Sequence, residues 1–70
     1  MGATVQPLHV IGRGCPDILV GWHGKNYLFE LKSPGGKLTP DEKQFFGQWR
    51  GQVGIICSFQ DAVNLMELYT

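Results

Sequence analysis

Residues 27–32 read YLFELK, an alternation that sets Tyr27, Phe29 and Leu31 on one side of an extended chain and Leu28, Glu30 and Lys32 on the other. Just upstream, Asp17 to Trp22 (DILVGW) is rich in strand-forming residues. Between them lies His23-Gly24-Lys25-Asn26. Gly24 followed by Lys25 suits a two-residue hairpin loop of type II′, whose first central residue needs positive φ. The pattern therefore predicts a β-hairpin over residues 17–32. Earlier still, TVQPLHVIG is a short extended candidate, and Pro7 confines that strand to a sheet edge or itself to the strand's first residues, because it cannot donate to a ladder.

After the hairpin the period changes. SPGGK (33–37) is a loop. Thr39 is a good N-cap, Pro40 then occupies the first helical position, and Asp41 and Glu42 put negative charge in the first turn. The spacing predicts a helix to about Arg50, stopped by Gly51, with Phe45, Phe46 and Trp49 as its apolar face. Gly47 inside it costs about 1 kcal/mol relative to Ala. Val53 to Cys57 reads as a short buried strand. Ser58 and Asp61 resemble a capping box with Asp in place of Glu. A last helix from about Gln60 to Tyr69 buries Ala62, Val63, Leu65, Met66 and Tyr69. The expected order is β, β, β, α, β, α. That is an α/β (α+β) fold in which a β-hairpin and a helix–strand–helix unit share a small mixed sheet.

Composition narrows the class. Seventy residues make a single domain, 1–70. With 43% hydrophobic and 17% charged residues the chain is globular rather than disordered. Its formal net charge is zero, so it lacks the basic signature of many nucleic-acid binders. Any DNA contact has to come from local clustering or from a metal ion offsetting carboxylates. The two cysteines allow one disulfide but no secreted disulfide framework, and Cys57, inside VGIIC, reads as a buried small hydrophobe. Zinc-ligand spacings are missing. No signal peptide or membrane-length apolar run is seen, and the expected location is the cytoplasm of a bacterial or phage-infected cell.

The hairpin carries the chemistry. A loop at Gly24-Lys25 pairs His23 with Asn26, hence Asp17 with Lys32 and Leu19 with Glu30. Opposed side chains share a face, so Asp17, Glu30 and Lys32 project together, the two acids as diagonal neighbours about 7–8 Å apart at Cα. Two converging carboxylates repel unless a cation relieves them. Mg²⁺ accepts one or two carboxylates with waters and phosphate oxygens, and Lys32 adds a fixed positive charge beside them. This set suits phosphodiester hydrolysis better than acyl transfer. The competing reading is a plain cross-strand ion pair between Asp17 and Lys32 with Glu30 solvated.

Pro16-Asp17, a gap of twelve residues and then Glu30-Leu31-Lys32 resemble the PD-(D/E)XK nuclease motif. The wider string GCPDILVGWHGKNYLFELKSPGGKLTPDEKQFF resembles the virus-type replication-repair nuclease domain, relatives of which are similar to Holliday-junction resolvases. The likeness spans residues 9–60 or so. It implies a restriction-endonuclease-like core and a Mg²⁺- or Mn²⁺-dependent DNA endonuclease acting on branched or junction DNA. It also implies that Asp17, Glu30 and the backbone carbonyl of Leu31 bind the metal, that Lys32 is the catalytic lysine, and that Gln44 on the following helix touches the site. The family commonly carries a further Glu on a helix ahead of the first strand, and no acidic residue precedes Asp17 here. That difference and the zero net charge leave a second reading open, a catalytically silent DNA-binding or assembly module with the nuclease fold.

Of the remaining polar residues, His9 is a candidate near the metal, while His23 reads as a surface residue beside the turn. Arg13, Lys37 and Lys43 are read as ordinary solvated charges before phosphate contacts. Gly35-Gly36 reads as a flexible loop before an anion-binding nest. The apolar supply (Trp22, Phe45, Phe46, Trp49, Leu65, Met66, Leu68, Tyr69) exceeds what one thin sheet-and-helix layer can bury. A homodimer with twofold symmetry is therefore expected, and small stand-alone members of the resembled family are dimeric.

Overall fold

A computed structural model describes residues 2–69. Strand β1 spans Thr4–Pro7, β2 Ile18–Trp22 and β3 Lys25–Leu31, followed by helix α1 Pro40–Gln48, strand β4 Gln52–Ile56 and helix α2 Phe59–Glu67. The expected order of elements is the observed one. The four strands form one sheet in the order β1-β2-β3-β4. The first three are antiparallel neighbours, and β4 lies parallel to β3. A parallel neighbour needs a crossover, which α1 supplies. Pro7 ends up on an edge strand, as its missing N–H requires.

The hairpin turn differs from the expected one. Trp22 pairs with Lys25 and Ile18 with Phe29, so the two central residues are His23 and Gly24, at φ 51° and 75°. Positive φ at both positions belongs to a type I′ turn, which matches the twist of the flanking strands, and His tolerates that region better than most residues. Relative to a loop at Gly24-Lys25, the register moves by two. An even shift preserves every side chain's face, so the predicted faces survive while the partners change. Continued by one pair, the register sets Asp17 across from Glu30 rather than from Lys32.

One sheet face carries the core. Val20, Tyr27, Phe29, Ile56 and Met66 are buried together, with Ile18, Trp22, Ala62 and Leu65 packed against them. Helix α2 covers this face. At Gly54 the approach is close enough that a Cβ would meet Leu65 Cδ1 at 2.8 Å. Tyr27 spends its hydroxyl on the Met66 carbonyl, 3.5 Å away, and its ring stacks on Phe29. The opposite face holds Leu28 and Glu30, both buried. The start of α1 stands over that face, because Glu42 reaches Lys32 there.

The helices are shorter and barer than the pattern predicts. Helix α1 ends at Gln48, where Trp49 turns extended (ψ 132°) and lays its ring on Phe45 at 5.1 Å. Phe45 and Phe46 are half-buried and Trp49 is 47% exposed. In α2 only Met66 is fully buried, while Ala62, Val63 and Leu65 are half-buried and Tyr69 is exposed beyond the helix. Ser58 caps α2 by accepting from the Asp61 amide at 3.1 Å. The Asp61 carboxylate reaches past the cap to the Cys57 amide at 2.8 Å. Cys57 is exposed, not buried, and both cysteines are free. Among the described residues, no helix is long and apolar enough to cross a membrane.

Candidate functional site

The ends of β2 and β3 bring the acidic residues together. Asp17 precedes β2, where its carbonyl accepts from the Leu8 amide at 2.8 Å and extends the β1–β2 ladder. Its carboxylate accepts from the Leu31 amide at 2.7 Å, which ties the entry of β2 to the end of β3. Glu30, one residue earlier on β3, is 3% exposed. One of its oxygens lies 3.2 Å from Lys32 Nζ. The other, Oε1, is buried without a hydrogen-bond partner.

Lys32 continues the face of Glu30, and its ammonium is shared. It donates to Glu42 Oε1 at 2.9 Å as well as lying against Glu30. That same Glu42 oxygen accepts the Thr39 amide at 2.8 Å, and the Glu42 amide donates to Thr39 Oγ1 at 3.2 Å. The two bonds form a complete capping box. Glu42 thus caps its helix and grips the lysine with one carboxylate. Its place in the cluster was overlooked in the sequence, where it counted only as first-turn charge. The signal was there: Thr39-x-x-Glu42 is a capping box, and such a Glu points back toward the helix start.

Electrostatics follow from this geometry. Burial is the main reason that the Glu30 carboxyl is pushed up to about 7; the Glu42 carboxylate, able to share its proton, raises it further, and Lys32 opposes. Glu42 is lowered to about 2, first by the Thr39 amide and then by Lys32. Lys32 is raised, first by its bond to Glu42. Cys15 lies near both Asp17 and Glu30, and burial with these two negative charges pushes its thiol up. A thiolate nucleophile is disfavoured there. Two of the chain's six acids thus flank one lysine, with Asp17 close to Glu30, and a neutral sequence acquires a locally acidic cluster.

Asp17, Glu30, Leu31 and Lys32 are therefore brought together, and Gln44 is not. Gln44 is exposed on α1, and two residues along a helix from Glu42 is roughly 200° around it. The structure gives it no hydrogen bond to Asp17, Glu30 or Lys32. His9 and His23 are both exposed; His23 stacks on Trp22 at 3.9 Å in the hairpin turn, at the far end of the strands. Arg13, Lys37 and Lys43 are exposed. Beside Lys32 runs an open groove of about 600 Å³ between the ends of β3 and β4 and the start of α2, lined in part by Leu31, Pro34, Cys57 and Phe59.

The donor chemistry is all oxygen. Among the described residues, no three His, Cys, Asp or Glu side chains converge into a ready-made metal cage. The Asp17–Glu30 pair is a two-carboxylate arrangement, of the kind that leaves coordination places for water and phosphate oxygens. No protein-family model, no curated protein and no solved structure matches the chain. The likeness to the nuclease motif rests on the residues of the sequence alone.

Proposed function

We propose that the chain is a metal-dependent DNA endonuclease domain with a restriction-endonuclease-like core, hydrolysing phosphodiester bonds at Asp17, Glu30 and Lys32. The observation that carries this reading is Glu30 Oε1: once Glu30 is ionised it can no longer share a proton with Glu42, and this buried oxygen is left without a protein partner. Leaving such an atom unpaired costs about 1–3 kcal/mol or more for a charged group. The metal-free fold escapes that cost by keeping Glu30 protonated toward Glu42, so an ionised Glu30 calls for a ligand to complete it. With Asp17 across the hairpin, the missing partner is best supplied by a hard divalent cation, Mg²⁺ or Mn²⁺.

Asp17 and Glu30 would hold the ion, and the Leu31 carbonyl follows in the motif as a third donor. The ion supplies Lewis-acid polarisation of a phosphate and a more acidic water. The chain's own residues do the rest. The Leu31 amide fixes the Asp17 carboxylate in place. Lys32 holds its ammonium at a site surrounded by carboxylates, where it can offset charge building on a phosphate oxygen. Burial of Glu30 strengthens its interactions with the neighbouring charges. The substrate class is DNA, branched or junction DNA included.

Single substitutions test the reading. Asp17→Ala, Glu30→Ala and Lys32→Ala should each lower Mn²⁺-dependent cleavage by roughly 100-fold or more. Wild-type rates in Lys32→Ala would rule out the assigned chemistry. Calorimetric titration with Mn²⁺ separates the enzyme from a silent module: a heat lost in Glu30→Ala supports the site, and identical heats favour the module.

A further inference from the structure

We propose that Glu42 is a positioning residue for Lys32, so that the first turn of α1 sets where the lysine ammonium stands in the site. The inference rests on the nuclease reading above for its meaning in catalysis, but not for its geometry. Lys32 lies beyond the end of β3, where a lysine stem has four rotatable bonds and high rotamer entropy. Its bond to Glu30 alone is a single contact at 3.2 Å to a carboxylate that the site needs for another purpose. Glu42 provides the shorter contact, 2.9 Å, from an independent element.

Glu42 is itself held unusually firmly for an exposed helix end. The Thr39 backbone amide holds its carboxylate, while its own amide on the Thr39 hydroxyl caps the helix. Pro40 presets the backbone of that first turn. From the other side the loop into β2 closes on the same turn. Gly14 has φ +78°, and a Cβ there would overlap the Asp41 carbonyl and crowd the Glu42 amide. Gly14 also leads, three residues on, to Asp17. The loop that delivers Asp17 and the turn that delivers Glu42 are thus packed against each other. Lys32 is gripped between Glu30 on the sheet and Glu42 on the helix.

The test compares wild type, Glu42→Gln and Thr39→Ala, with two readouts. The first is the Lys32 ammonium signal in a nitrogen-15 correlation spectrum, where a held ammonium exchanges slowly enough to be seen. It is expected in wild type and in Thr39→Ala, which weakens the cap but leaves the Glu42 carboxylate, and it is expected to vanish in Glu42→Gln. The second is Mn²⁺-dependent cleavage. Glu42→Gln should lower kcat by roughly 10- to 100-fold with KM little changed, as loss of an orienting partner does. It should have no further effect in a Lys32→Ala background. Thr39→Ala should match Glu42→Gln in thermal stability while keeping kcat. A Lys32 signal that persists in Glu42→Gln overturns the proposal. So does an equal loss of kcat in Thr39→Ala and Glu42→Gln, which would make Glu42 a helix cap alone. A wild type that cleaves no DNA sinks the nuclease reading, and the ammonium signal still decides whether Glu42 holds Lys32.

Discussion

At the scale of single residues, Glu30 sets the balance between stability and chemistry. A carboxyl raised by burial to about 7 is one the metal-free fold prefers protonated. Its stabilising contribution is complete below the ordinary carboxylate range and is lost as pH rises through about 7. Glu42 runs the other way: lowered to about 2, it contributes fully above the ordinary range and loses that only in strong acid. Between about pH 5 and pH 8 the Glu30 effect is the one that changes. Metal-free wild type should therefore lose on the order of 1–3 kcal/mol across that window, as read by urea unfolding. Glu30→Gln should show a flatter profile and be the more stable protein at the alkaline end. A profile in Glu30→Gln as steep as wild type would remove Glu30 as the cause. The alternation in YLFELK revealed which face Glu30 occupies, but not that it is buried. The Lys32 and Glu42 side chains that meet at Glu30 come from beyond the strand, and the Glu42 contact is a long-range one that no local pattern encodes.

At the scale of elements, local chemistry predicted what was locally determined. Thr39-Pro40 marked the start of α1, Ser58 that of α2, and Pro7 the edge strand. The hairpin was foreseen and its turn was not, because both His23-Gly24 and Gly24-Lys25 offer a glycine with positive φ. The type I′ choice uses two such residues, and the sequence marks only one of them plainly. The shared face of Asp17 and Glu30 survived that error because the slip was even. Helix α1 stopped short where Trp49 turned extended and stacked back on Phe45, four residues earlier. The contact between Gly14 and the first turn of α1 is long-range, and it makes a prediction. Gly14→Ala puts a side chain into a left-handed backbone and against the Asp41 carbonyl. It should destabilise the fold by about 2 kcal/mol or more, measured by chemical unfolding. Gly47→Ala, with open space around it, should stabilise α1 by up to about 1 kcal/mol. If Gly14→Ala were as stable as wild type, the loop and the helix would not be packed as described.

At the scale of the whole molecule, much apolar surface stays outside. Phe59 is 71% and Leu68 76% exposed, with Trp49, Ile55 and Tyr69 near half. The outer edge of β4 has no partner strand among the described residues. A core this small is marginal, and association is one way to stabilise it. A homodimer is the expected state, with a light-scattering mass near twice 7.8 kDa, and a mass near 7.8 kDa at micromolar concentration would contradict it. A twofold pair would also present two sites to one DNA, as cutting both strands of a junction requires. The central claim, that Glu30 and its neighbours form a metal-dependent nuclease centre, is tested most directly by cleavage itself. Wild type and Glu30→Gln would be compared on duplex, nicked, flapped and four-way-junction DNA, with Mn²⁺ and with EDTA. The account predicts cleavage of at least one of these by wild type with Mn²⁺, none with EDTA, and loss of that cleavage in Glu30→Gln. Cleavage that survives in Glu30→Gln, or a wild type inert on every DNA with Mn²⁺, would contradict it.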